Sequence, residues 1–374
     1  MQKLLAALWV LALFAPAVGN AQNEPPGISV PTLLPAFDAS RPRCAPPPNV
    51  RKVLAFAQDN QRAFMQGVGR GLAAAAHDRG LGFEVALADN DPLKMIDQLR
   101  AMRASGVGAV VAAPVDPESL TPALQALIWA GTYVGTIVPP PATSLLNAPQ
   151  YLTGKALADT AVAYINAKLG GKARVVLLTQ DHLQFLAPRF VAMRDALAAL
   201  PGVTIVADIS PVTVDLAGGR AMMETILLAH PNIDVVLGAD TVVLGALAAL
   251  REAGKARPDQ FLGGIDGEPD AVTEIRKGNG PYKASVSLAA PIFAYAMGQQ
   301  AADWLDGKTI PQAMDILPLA LTAQNLAAYE TDTANPGAVY ADPARRAAYL
   351  KMYGNICYDT RDQYINFAWS SERK

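Results

Sequence analysis

The sequence predicts an α/β protein made of two doubly wound parallel-sheet lobes, and three observations carry that expectation. From residue 50 onward, short β-branched or apolar runs alternate with stretches whose apolar residues recur every three or four positions. Glycines stand where those helices should stop, at Gly80, Gly106, Gly131, Gly254 and Gly278. A tri-proline, Pro139-Pro140-Pro141, interrupts the series where a central strand cannot continue. Alternation over this length means βαβ units, hence parallel sheets covered by helices on both faces.

The elements follow in order. Residues 1–21 are set aside as a secretory signal peptide: Lys3 is followed by the apolar run Leu4–Val18, and Gly19-Asn20-Ala21 offers small residues before a cut after Ala21. That run is shorter than the roughly 20 residues of a membrane span. Residues 22–49 form a Pro-rich leader. Nine strands are then expected: Lys52–Ala57, Gly82–Ala88, Ala109–Ala113 and Tyr133–Val138 before or at the tri-proline, then Ala173–Thr179, Val203–Ile209, Ile233–Leu237, Gln260–Ile265 and Lys283–Leu288. Leu93, Ile96, Leu99 and Met102 mark the apolar face of one intervening helix. After about residue 310 the rhythm ends. Residues 319–374 read as a Tyr-rich tail packed on the lobes, with one helix expected from Asp342 as N-cap and Pro343 as its first residue, ending at Gly354.

Composition narrows the function. At 374 residues, 51% hydrophobic and 17% charged, the chain can bury large cores and is not disordered. A formal net charge of −2 provides no basic field for nucleic acid. His77, His182 and His230 lie far apart with no ligand spacing, so no metal site and no cofactor are expected. Gly67-Val-Gly-Arg-Gly71 has its glycines at the wrong offsets for a dinucleotide loop, and Gly307-Lys308-Thr309 follows a helix rather than opening one. There is no Gly-x-Ser-x-Gly, His-Glu-x-x-His or Cys-x-x-Cys motif, and no enzyme is expected. In an exported protein the even pair Cys44 and Cys357 favours a disulfide that ties leader to tail.

Polar residues just past strand carboxyl ends are the candidate site, because ligands of open parallel sheets collect there. They are Gln58, Asp59 and Arg62; Asp116; Gln180, Asp181 and His182; Asp240; and Asp266. Carboxylates accept hydrogen bonds in pairs, which suits polyols and amines. For each Asp the alternative is a cap on the following helix, evenly balanced for Asp116 and Asp240. Asp266 lies in the Gly-flanked turn Gly264-Ile-Asp-Gly267, where contact with a ligand is favoured.

These residues give the chain a resemblance over roughly residues 50–310. Gly264-Ile-Asp-Gly-Glu-Pro-Asp270, Pro114-Val-Asp116, His230-Pro-Asn-Ile-Asp234 leading to Gly238-Ala-Asp240, and Ala63-Phe64 at the start of the first helix resemble the type I periplasmic solute-binding proteins of ABC importers, in their ribose/galactose-like branch. The resemblance implies two lobes joined by three crossing segments, near Pro139–Leu145, Leu288–Pro291 and Ile310–Pro318. It places residues 50–141 and 289–318 in the first lobe and 142–288 in the second. It implies a monomeric periplasmic receptor that closes on a ligand and hands it to an ABC permease, without inserting into the membrane. The alternative is a sensor presenting its ligand to a membrane signalling or chemotaxis receptor.

By the same resemblance Phe64 packs on the sugar ring, and Asp116 and Asp266 accept from sugar hydroxyls. Other positions depart from the family pattern. Val138-Pro139 stands for an Asp-Arg pair, Ala187 for a ligand arginine with Arg189 nearby, Ala239 for an asparagine, Leu288 for a glutamine that reaches the ligand, and Met65 for a second aromatic. Most of these exchange a hydrogen-bonding group for an apolar one. They imply a ligand less hydroxylated than an ordinary pentose or hexose, partly apolar or amine-bearing.

Overall fold

A computed structural model describes residues 33–137, 141–183 and 185–372. In chain order the first lobe holds β1 (Arg51–Gln58), α1 (Ala63–Asp78), β2 (Gly82–Leu87), α2 (Pro92–Ala104), β3 (Val107–Ala112), α3 (Pro117–Trp129), β4 (Tyr133–Ile137) and β5 (Ser144–Asn147). The second lobe follows with α4 (Gln150–Lys168), β6 (Ala173–Leu178), α5 (Ala187–Ala198), β7 (Val203–Ile209), α6 (Leu216–Ala229), β8 (Val235–Leu237), α7 (Asp240–Glu252), β9 (Phe261–Asp266), α8 (Pro269–Lys277) and β10 (Tyr282–Ser287). Helix α9 (Ala290–Leu305) and β11 (Ala313–Ile316) return to the first lobe, and β12 (Leu319–Leu321) joins the second. The tail adds α10 (Leu326–Ala334), α11 (Pro336–Ala341), α12 (Pro343–Ala347) and β13 (Leu350–Tyr353).

The sheets run β13-β11-β5-β4-β3-β1-β2 and β12-β10-β9-β8-β6-β7. Every pairing is parallel except β11 with β13 and β10 with β12, the two strands contributed after the last helix of the βαβ series. The central strands are apolar throughout because helices cover both faces: all six residues of β3 are buried. Right-handed crossovers put α5 on one face of the second sheet, with α4 against it, and α6, α7 and α8 on the other. In the first lobe α9 lies along α1. Their approach is so close that a Cβ on Gly71 would stand 2.3 Å from the carbonyl oxygen of Pro291.

All nine expected strands are present. Four short ones were not foreseen, and one of them moves a boundary. β5 pairs parallel with β4, with Thr136 opposite Leu145, so residues 142–147 belong to the first lobe. The first crossing therefore falls at Ala148-Pro149, not at 141/142. The second crossing is Leu288-Ala289 and the third is Leu317-Pro318. The tail helix also ends early. Asp342 caps it as expected, accepting from the N–H groups of Ala344 and Arg345, but the helix stops at Ala347 because the following residues pair as β13 along β11.

Leader and tail meet as expected. Cys44 and Cys357 are joined by a disulfide, their Cα atoms 6.2 Å apart. The leader lies along the tail, with Phe37 N–H donating to the Met352 carbonyl at 3.0 Å. The signal peptide, leader residues 22–32 and Val138-Pro139-Pro140 lie outside the described residues. Among the described residues no helix is long and apolar enough to cross a membrane.

Candidate ligand-binding cleft

The strand carboxyl ends of the two lobes meet across a cleft. In the first lobe β1 and β3 pair with Ala57 opposite Ala112, so Gln58, Asp59 and Asp116 leave the same sheet edge. Gln58 is buried, and the Asp59 carboxylate holds its own turn, accepting from Asn60 N–H at 2.7 Å and from Asn60 Nδ2 at 2.8 Å. Burial raises the Asp59 carboxyl above its usual range. Arg62 is exposed and sits immediately before α1. Phe64, two residues on, stacks at a tilt on Phe293 of α9 with centroids 5.9 Å apart. Asp116 occupies the N-cap position of α3 but makes no side-chain capping bond, so the capping alternative does not consume its carboxylate.

In the second lobe β9 ends at Asp266, opposite Ser287 of β10. Asp266 has φ of 118°, a conformation that only glycine adopts easily, and Gly267 follows at 69°. Asp266 and Phe64 line one cavity of about 280 Å³, which α8 and α10 also border through Arg276 and Tyr329. Arg189, buried at the start of α5, stands 3.9 Å from the Asp266 carboxylate. Burial pushes the Asp266 carboxyl up to about 6, opposed by Arg189 and, from the other lobe, by Arg62. Burial lowers the Arg189 guanidinium from its ordinary value, against the pull of Asp266 and of Glu372 in the tail.

The remaining expected residues are placed differently. Asp240 is fully buried, and protein donors occupy both of its oxygens: Tyr282 Oη at 2.6 Å, Ser285 Oγ at 2.7 Å and Glu268 N–H at 2.8 Å. Burial raises it to about 7. It braces the Asp266 turn from beneath, so Asp240 is corrected from a ligand contact to a support. Asp181 is paired with Arg194, which also grips Asp208, on the β6–β7 side. It too is engaged by protein. Gln180 is buried and His182 exposed beside it. Leu288 is covered within the main apolar core at the second crossing. These burials follow from interior packing that strand-end position alone does not reveal.

Residues 53–309 match the family model described as the periplasmic binding protein domain. The chain belongs to this family. The ribose import binding protein RbsB of Bacillus subtilis (strain 168) is 26% identical over 269 residues, 70% of this chain and 83% of that protein. The Caulobacter myo-inositol binding protein bound to myo-inositol is 26% identical with a TM-score of 0.60, over 74% of this chain and 94% of that one. The 5-methylthioribose transporter solute binding protein of Thermotoga lettingae TMO shares the fold, with a TM-score of 0.65 at 20% identity over 80% of this chain and 95% of that one. This chain is thus a periplasmic binding protein with the type I fold, and the relatives it matches are solute-binding proteins.

Within that frame the structure brings together Phe64, Asp266 and Arg62, with Asp116 at the same first-lobe edge. Two further charged residues stand at or behind this site without a clear sequence pattern to announce them. The sequence signal of Arg189 is a basic residue on the apolar, buried face of α5, two positions from Ala187. Glu372 gave no signal at all, because nothing in its local sequence says that the tail reaches the second lobe.

Proposed function

We propose that the protein is the exported solute receptor of an ABC-type importer, closing as a monomer on a small polyhydroxylated solute with an apolar face. The observation that carries this reading is Asp266, held at a positive φ in the cleft with Arg189 beside it and Phe64 on the wall of the same cavity. An ionised Asp266 accepts two ligand hydroxyls or an amine, Asp116 adds acceptors from the first lobe, and Phe64 covers an apolar ring face. Relatives that bind ribose, myo-inositol and 5-methylthioribose support a sugar or cyclitol class. The apolar swaps at Ala187 and Ala239 favour the less hydroxylated members of that class. Docking on a permease and delivery for import complete the reading, with residues 1–21 as the export signal.

A thermal-shift screen of pentoses, hexoses, cyclitols, thio-sugars and amino-sugars tests it. A true ligand at about 100 times its dissociation constant adds roughly 2.7 kcal/mol of stability. Stabilisation by none of these classes, with amino acids or peptides stabilising instead, would overturn it. Amino-terminal sequencing of the exported protein should begin at Gln22.

A further inference from the structure

The tail beyond β12 touches the second lobe at two places on opposite faces. On the α8 face, Glu330 of α10 pairs with Arg276, and the Tyr329 and Ser287 hydroxyls bond at 2.7 Å. The tail is then fixed to the first lobe. Tyr340 of α11 packs on Tyr295 of α9 with centroids 5.8 Å apart, β13 extends the sheet at β11, and Cys357 is bonded to Cys44. From there it runs along the crossing segments. Ile365 and Ala142 exchange backbone bonds of 2.9 and 3.0 Å, and Trp369 is buried against Ala142, Leu145 and Ala313. Ser371 bonds Asp315 of β11, which also accepts from Asn147 of β5 at 2.8 Å. Both strands lead directly into crossings.

One residue further, the tail enters the second lobe on the α4 face. The Glu372 carboxylate is buried and accepts from the backbone N–H groups of Gln150, Tyr151 and Leu152, the last at 2.9 Å. These are the first residues of α4, whose unsatisfied donors and positive dipole end suit an anion. The Gln150 side chain in turn accepts from Arg189 Nε. Glu372 therefore acts on Arg189 twice, by holding its hydrogen-bond partner and by its own charge, and Arg189 faces Asp266.

We propose that Glu372 is a positioning residue of the ligand cleft, acting through Arg189, and that the tail carrying it straps the hinge from both faces. The first part rests on the cleft being the ligand site; the strap does not. A buried guanidinium without fixed partners would lie against Asp266 in several poses and compete with the ligand for it. With Glu372 and Gln150 in place it has one.

The test uses the full disulfide-bonded protein with Glu372→Gln, which keeps the shape, and Glu372→Ala. In hydrogen exchange of the ligand-free protein, loss of a charge-assisted bond should speed exchange of the Tyr151 and Leu152 amides by about 10- to 100-fold. Unchanged protection in both variants would overturn the strap. Calorimetric titration with D-ribose, myo-inositol and 5-methylthioribose tests the positioning role. Glu372→Gln should weaken binding by about tenfold, and by less than about twofold when added to Arg189→Met. An equal loss in both backgrounds, or none in either, would overturn the positioning role. If the parent binds none of the three probes, the cleft reading and the positioning role fall together, and exchange alone still decides the strap.

Discussion

At the scale of single residues, the proposed ligand binding rests on Asp266. Its backbone is held at φ 118°, and burial raises its carboxyl to about 6. The charged groups around it are Arg189, Arg62, Glu268 and the buried Asp240. Protonation removes the acceptor, so affinity should fall as pH drops through about 6, approaching tenfold per pH unit below it. Titrations between pH 4.5 and 8 check this; a flat profile would show that Asp266 is not the anchor. Stability runs the other way. Asp266 and Asp240 have folded pKa values above the ordinary carboxylate value. Between about pH 4 and 7 the folded state therefore binds more protons, and its stability declines as pH rises through that window. Thermal melts of the ligand-free protein should show this slope. The turn at Asp266 was legible in the sequence because its flanking glycines are a local pattern, whereas Phe64 entered only through the family resemblance. The burial of Asp240 was not, because its partners Tyr282 and Ser285 lie over forty residues away.

At the scale of elements, α4 and α5 place Arg189, and a glycine makes the placement possible. A Cβ on Gly154 of α4 would lie 1.9 Å from the Arg189 carbonyl oxygen, so the helices touch backbone to backbone. Gly154→Ala must push them apart. It should cost about 1–3 kcal/mol by denaturant unfolding and weaken ligand binding through the displaced Arg189. A stable variant with parental affinity would show that this contact is slack. The nine strands of the βαβ series were readable because turn residues bound them and, β4 apart, a periodic helix follows each. β5, β11, β12 and β13 were not. They are three or four residues long, and sheet neighbours distant in sequence decide their state. For the same reason the helix begun at Asp342 gives way to β13, where pairing with β11 overrides a continuing Ala/Arg/Leu pattern.

At the scale of the whole molecule, the two-lobe architecture was evident from the alternation of strands and helices, whereas the path of the tail was not. The disulfide closes a separation of 313 residues and pins the tail to the leader. Replacing both Cys44 and Cys357 by Ser should lower stability by up to about 6 kcal/mol in the chain-entropy model, read by chemical unfolding. A loss near zero would mean that the remaining tail contacts suffice. Closure is the functional counterpart of this architecture: a ligand that bridges the lobes stabilises the closed state and reduces the radius of gyration. The most direct measurement is calorimetric titration of the parent and of Asp266→Asn with the ligand found by the screen. Asn keeps the shape and meets the same backbone strain at φ 118° as Asp does, so the fold should survive. Cleft binding predicts affinity reduced about 10- to 150-fold, as for loss of one charge-assisted hydrogen bond. Parental affinity in a folded Asp266→Asn protein would contradict it and place the ligand elsewhere.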